Sequence, residues 1–120
     1  MKENEMKKVS STVEYKGKEY SLVFNLNVMK EIQDEYGTID KWGELSDGSK
    51  GEPNAQAVIF GFRAMLNEGI DIANEESEEK IEPLTLKQVG RMITEIGLQN
   101  SVEQLNDVVI ESTKSDEKNA

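Results

Sequence analysis

The sequence contains no cysteine and no histidine. Without thiols there is no disulfide, thiolate metal site or cysteine nucleophile. Without imidazole, the usual acid/base group near neutral pH and the commonest metal ligand is missing too. Proline occurs twice and tryptophan once, and aromatic side chains are 6% of the chain. No stretch approaches the roughly 18 apolar residues that a membrane helix needs. The opening run, Met1-Lys2-Glu3-Asn4-Glu5-Met6-Lys7-Lys8, is charged and leads into no apolar segment, so it does not read as a signal peptide. A cytoplasmic protein with no membrane partner is expected.

Positive charge is also short: 14 Lys and Arg face 24 Asp and Glu, a net charge of -10. Such a surface is repelled by nucleic-acid phosphate and by anionic lipid, which argues against a nucleic-acid partner and for protein partners with basic or apolar segments. At 120 residues the chain is long enough for one domain and too short for two. Its 36% hydrophobic and 32% charged residues make a lean core, which self-association would enlarge.

What is present is periodic. Residues 1–8 are expected to be disordered. From Val9 the residues alternate, with Val9, Ser11, Val13 and Tyr15 on one side; after Lys16-Gly17-Lys18 the alternation resumes in Tyr20, Leu22, Phe24 and Leu26. Two such runs about a glycine turn predict a β-hairpin, whose apolar face must be covered because a lone hairpin is marginal. Asn27 is a candidate cap for a helix carrying Val28, Met29, Ile32 and Tyr36 and stopped by Gly37; Thr38 caps a short one with Ile39, Trp42 and Leu45. Ser46 to Gly51 reads as a flexible loop. Pro53-Asn54 opens a third helix, Ala55 to about Asn67, apolar on nearly all sides and therefore expected to be central. Asp71 to Glu82 reads as a mobile acidic connection. Thr85-x-x-Gln88 and Ser101-x-x-Gln104 are capping boxes for two more helices, lined by Leu86, Val89, Met92, Ile93 and Ile96 and by Val102, Leu105, Val108 and Val109. The expected architecture is α+β: an N-terminal β-hairpin followed by a bundle of four to five short α-helices, one domain over residues 9–110, with a disordered acidic tail over 111–120.

Chemistry is harder to find than structure. The densest carboxylates, Asp71, Glu75, Glu76, Glu78, Glu79 and Glu82, lack the ligand spacing and central glycine of a calcium loop. Asp47-Gly48-Ser49-Lys50-Gly51 lacks the Gly-Lys-Ser/Thr order and the preceding strand of a phosphate loop. The serines and threonines have no histidine base. No catalytic, metal or cofactor-binding residue is predicted, and the chain is expected not to be an enzyme. What stands out instead is apolar: Trp42 on a short amphipathic helix, and Ile59, Phe60, Phe62 and Met65 on the all-round apolar one, are candidates for a protein interface.

Three phrases carry a resemblance. Glu19-Tyr20-Ser21-Leu22-Val23-Phe24-Asn25-Leu26-Asn27 runs into Met29-Lys30-Glu31-Ile32-Gln33-Asp34-Glu35-Tyr36-Gly37; an Ala/aromatic helix ends in Leu66-Asn67-Glu68-Gly69; and Pro83-Leu84-Thr85-Leu86-Lys87-Gln88-Val89-Gly90 follows. In that order, over about residues 10 to 110, they resemble the tail assembly chaperones of long, non-contractile-tailed bacteriophages and their prophages. Asn25 and Gln88 stand where that family often has Asp and Glu, and both keep a side chain able to cap. The resemblance implies a non-enzymatic protein that coats the aggregation-prone tape-measure protein until tail-tube subunits displace it, working as an oligomer in the host cytoplasm and absent from the finished virion. The alternative from another class is a small acidic inhibitor that mimics DNA.

Overall fold

The structure, a computed structural model, describes the backbone of residues 12–119 and the side chains of residues 12–112. The parts of the chain expected to be disordered at the N-terminus, and Val9 and Ser11, lie outside the described residues. Lys16 and Gly17 both take positive φ, 52° and 76°, the geometry of a two-residue turn whose twist matches its flanking strands. That turn joins β1 (Thr12–Tyr15) to β2 (Lys18–Ser21) in an antiparallel pair, with Val13 opposite Tyr20. Val13 is buried and Tyr20 packs on the core, so the alternation points its apolar members inward, as expected.

The hairpin ends sooner than its sequence pattern. After Ser21 the chain crosses the central helix: the Val23 N–H donates to the Met65 carbonyl at 3.2 Å. The backbones can meet there because Gly69 has no side chain; a Cβ on it would lie 2.5 Å from the Ser21 carbonyl oxygen. Leu22 is buried and Phe24 partly so, but Leu26, expected to face the core, is 76% exposed. It is already helical. The helix α1 (Leu26–Tyr36) is capped by Asn25, whose side chain accepts from the Val28 N–H, and not by Asn27. Val28 and Ile32, one turn apart, bury its inner face, and Gly37 at φ 94° stops it. Thr38 caps α2 (Ile39–Asp47) as expected, and Gly48 in the left-handed region ends it; the first two residues of the presumed loop are therefore helical, with Ser46 buried.

The helix α3 (Ala55–Glu76), capped by Asn54, is the axis of the fold and packs against β2 and every other helix. Its apolar residues find partners within the chain: Ala57, Val58, Gly61, Phe62, Ala64, Met65, Leu66 and Ile70 are all buried. Surrounding elements of the same chain thus cover most of the all-round apolar pattern, and Ile59 and Phe60 stay partly exposed. It is also longer than expected, absorbing Asp71 to Glu76 from the presumed acidic connection.

What remains of that connection is pinned. Asn67 exchanges two hydrogen bonds with the Leu84 backbone, donating at 3.1 Å and accepting at 2.8 Å. Two turns on, Asn74 does the same with Ile81, both at 2.9 Å. Each amide side chain imitates a peptide group, so residues 77–85 return along α3 as a strap. Lys80 donates to the Asn74 and Ser77 carbonyls at 2.7 Å each, which places a cation at the negative end of the helix.

The strap delivers the chain to α4 (Leu86–Ile96), where the Thr85/Gln88 capping box is complete. Gly97 (φ 103°) separates α4 from α5 (Leu98–Asn119). The second capping box does not form: Ser101 lies inside α5, fully buried, and donates to the Gly97 carbonyl, while Gln104 donates to the Thr12 carbonyl across the molecule. The earlier start of α5 leaves no terminus at Ser101 to cap. The backbone of α5 also runs helical through the segment 111–119 expected as a disordered tail, and the Ser112 hydroxyl donates to the Phe24 carbonyl at 3.3 Å. The fold is therefore α+β, a two-stranded hairpin followed by five helices, of which α3 and α5 have 22 residues each and are not short.

Candidate functional site

The five apolar residues predicted as an interface separate into two groups. Trp42 is 3% exposed, its indole N–H donates to the Ala57 carbonyl at 2.9 Å, and its ring lies on Gly61. Phe62 and Met65 are completely buried. These three are core residues, and burial inside one chain removes them from any surface. Ile59 and Phe60, on the other flank of α3, are only partly buried.

Those two belong to a groove. Gln56, Ile59 and Phe60 form one stripe of α3 and face Leu86, Lys87, Gly90, Arg91 and Thr94 of α4, around a volume of about 720 Å³. On α4 the core is taken by Val89, Met92 and Ile93. Leu86, grouped with the core stripe by its spacing alone, is 49% exposed instead and lies along the groove. Gly90 keeps the floor open: a Cβ there would sit 3.6 Å from Ile59 Cδ1, in ordinary contact, and any larger side chain would fill the space.

Behind the groove Phe60 is held by other aromatic and charged groups. The Tyr36 ring meets it edge-on, with centroids 5.4 Å apart at 80°. The Arg63 guanidinium lies 5.9 Å from the Phe60 centroid and pairs with Glu31 at 3.8 Å. The Tyr36 hydroxyl is buried and finds no acceptor among the described residues. Burial pushes its pKa above the ordinary tyrosine value of 10.0, and the neighbouring Glu35 carboxylate adds to the shift.

Charge distinguishes this groove from the rest of the molecule. In a chain with 24 acidic residues, no carboxylate lines it, whereas Lys87 and Arg91 do. Both are exposed, and neither forms an ion pair with a described residue. Sequence reasoning missed Leu86, Lys87, Gly90 and Arg91. The available signal was the pattern of α4 itself, where Leu86, Gly90 and Thr94 recur at one-turn spacing away from the Val89, Met92 and Ile93 stripe.

The phrases that carried the family resemblance have a structural role. Glu68 accepts from both Asn25 (2.8 Å) and Asn27 (3.1 Å), and Asn67 beside it holds Leu84. The three phrases are thus joined to one another at the middle of α3. The Asp47–Gly51 segment is a helix stop and turn, with Ser49 N–H donating to the Asp47 side chain. Of the dense acids, Asp71, Glu75 and Glu76 stand on α3 and the rest on the strap. No group of three or more possible metal ligands occurs among the described residues, and no described helix is long and apolar enough to cross a membrane. Comparison of the chain with known protein families, with curated proteins and with solved structures found no match.

Proposed function

We propose that this chain is a phage tail assembly chaperone, a non-enzymatic protein that binds the tape-measure protein in the host cytoplasm and keeps it soluble until tail-tube subunits polymerise around it. The observation that carries this reading is the α3/α4 groove. Its floor is apolar, it extends for about two helical turns along α4, and it lies between two helices, a shape that takes the apolar stripe of a third. A tape-measure protein is long and helical and presents many such stripes before the tube encloses it. The family resemblance adds to the reading, and its three phrases meet on α3, where Glu68 holds the start of α1 and Asn67 holds the end of the strap that leads into α4.

The test is co-expression. A tape-measure protein produced together with this chain should stay in the soluble fraction and co-purify with it. Leu86→Gln, which removes an exposed apolar side chain from the groove, should weaken that association. A tape-measure protein that is equally insoluble with and without the chain would sink the proposal. The DNA-mimic reading gains one observation, the placement of Asp71, Glu75 and Glu76 on a helix rather than a loop. Release of a DNA-binding protein from DNA on addition of this chain would favour it.

A further inference from the structure

The groove gives more than a place; its charge specifies what enters. Lys87 and Arg91 are one helical turn apart on the same side of α4, along one wall of an apolar channel that has no carboxylate among its lining residues. Elsewhere acidic residues outnumber basic ones, so this wall is a local reversal of sign, and its two cations lack ion-pair partners among the described residues. A third cation, Arg63, stays behind Phe60 and is engaged by Glu31.

We propose that the groove docks an amphipathic helix of another protein whose apolar stripe is flanked by Asp or Glu. The apolar side chains settle against Ile59, Phe60 and Leu86 over Gly90, and two carboxylates one turn apart on the incoming helix meet Lys87 and Arg91. The proposal rests on the groove being the client site and names the client's chemistry. Among the described residues a second copy of this chain does not supply such a helix. Its exposed large apolar residues fall one to an element except for Leu98 and Ile110 on α5, which are separated by about three turns. No described helix therefore offers two of them within a turn, as an inserted stripe requires.

The charge rule separates this docking from simple apolar burial. A basic client would gain from the chain's overall acidity at long range but would bring cations against Lys87 and Arg91 on binding. An acidic-flanked helix is disfavoured at long range and favoured at contact. Its affinity is therefore expected to depend on these two side chains rather than on net charge.

The experiment uses the full chain and two fluorescent helical peptides of about 16 residues with the same Leu/Ile stripe. One peptide is flanked by Glu and the other by Lys. Fluorescence anisotropy at about 0.15 M salt, where the chain's overall acidity is screened beyond about 8 Å, should show the Glu-flanked peptide binding about tenfold more tightly, as expected for two partly exposed ion pairs. The charge-reversed variant Lys87→Glu/Arg91→Glu should invert the order of the two peptides while its circular-dichroism melt stays close to wild type, since both residues are exposed. Leu86→Gln should weaken both peptides.

Equal binding of the two peptides, or an order unchanged in the reversed variant, would overturn the charge rule. Binding of neither peptide would overturn the groove as a docking site. If sedimentation shows self-association that the double variant abolishes, the occupant is a second copy and the proposal falls. A chain that binds the Glu-flanked peptide yet fails to hold the tape-measure protein keeps this inference and loses the function proposed above. Client rescue undiminished in the double variant, with no peptide bound, does the reverse.

Discussion

Replacing Gly61 with alanine should destabilise this protein, although alanine is much the better helix former. In an exposed helix the change would gain about 1 kcal/mol. Gly61, however, sits in the first half of α3 beneath the indole of Trp42. A Cβ built on it lies 2.3 Å from Cζ2, 2.9 Å from Cε2 and 3.1 Å from Nε1. Ordinary carbon contacts begin near 3.5 Å, so the ring must retreat by about 1 Å in a core where it is 3% exposed. Overpacking of this kind costs about 1–3 kcal/mol. The retreat also strains the 2.9 Å bond from the indole N–H to the Ala57 carbonyl, and losing a buried hydrogen bond costs about 1–3 kcal/mol more. After the gain in helix propensity, a net loss of about 3 kcal/mol remains, on the order of 10 °C in melting temperature for a domain of this size.

The assay is urea denaturation followed by circular dichroism, with the fluorescence of the single tryptophan as a second probe in the chains that keep Trp42. A double-mutant cycle with Trp42→Phe isolates the cause, because the smaller ring lacks the atoms that Cβ would meet. In that background Gly61→Ala should be neutral or stabilising by up to about 1 kcal/mol. Stabilisation by Gly61→Ala in the wild-type chain would refute the reasoning, since the helix preference would then have won and the Trp42 ring could not lie where it is placed.

The other predictions follow from the same contacts. Leu22→Ala should cost about 3 kcal/mol and Leu26→Ser almost nothing, as read by urea midpoints; equal costs would mean that the hairpin pattern does run on to residue 26. Asn67→Ala should free the strap and cost about 2 kcal/mol, with faster amide exchange at Leu84; unchanged exchange there would show that the strap is held by other means. Tyr36→Phe should be neutral or slightly stabilising, because the buried hydroxyl has no acceptor among the described residues. The raised Tyr36 pKa means that the folded chain holds this proton more tightly than the unfolded one. Its contribution is fully present below the unfolded value of 10.0 and is lost as pH rises through the folded value. Thermal melts across that range should fall less steeply in Tyr36→Phe than in wild type, and identical slopes would contradict the burial of the hydroxyl.

The sequence by itself determined the local elements and much of their punctuation. Lys16-Gly17, Thr38, Asn54, Thr85 with Gln88, and the stop at Gly37 were legible because turns and caps are decided within a few residues by backbone sterics and short side-chain bonds. The buried stripe of α1, Val28 and Ile32, was legible for a similar reason, since period alone places it on one face. Tertiary structure decided the rest. Asp71 to Glu76 is polar enough to read as a loop, and it is helical because it continues α3 over a strap that Asn67 and Asn74 hold from a distance. Ser101 and Gln104 match a capping box, but no terminus exists there, and Gln104 is drawn instead to Thr12 at the far end of the chain. Apolarity likewise does not say which neighbour will arrive. Trp42, Phe62 and Met65 looked available and went to the core, while Ile59, Phe60 and Leu86 were left to the groove. A side chain's period is local, but what covers it is settled only when distant helices pack.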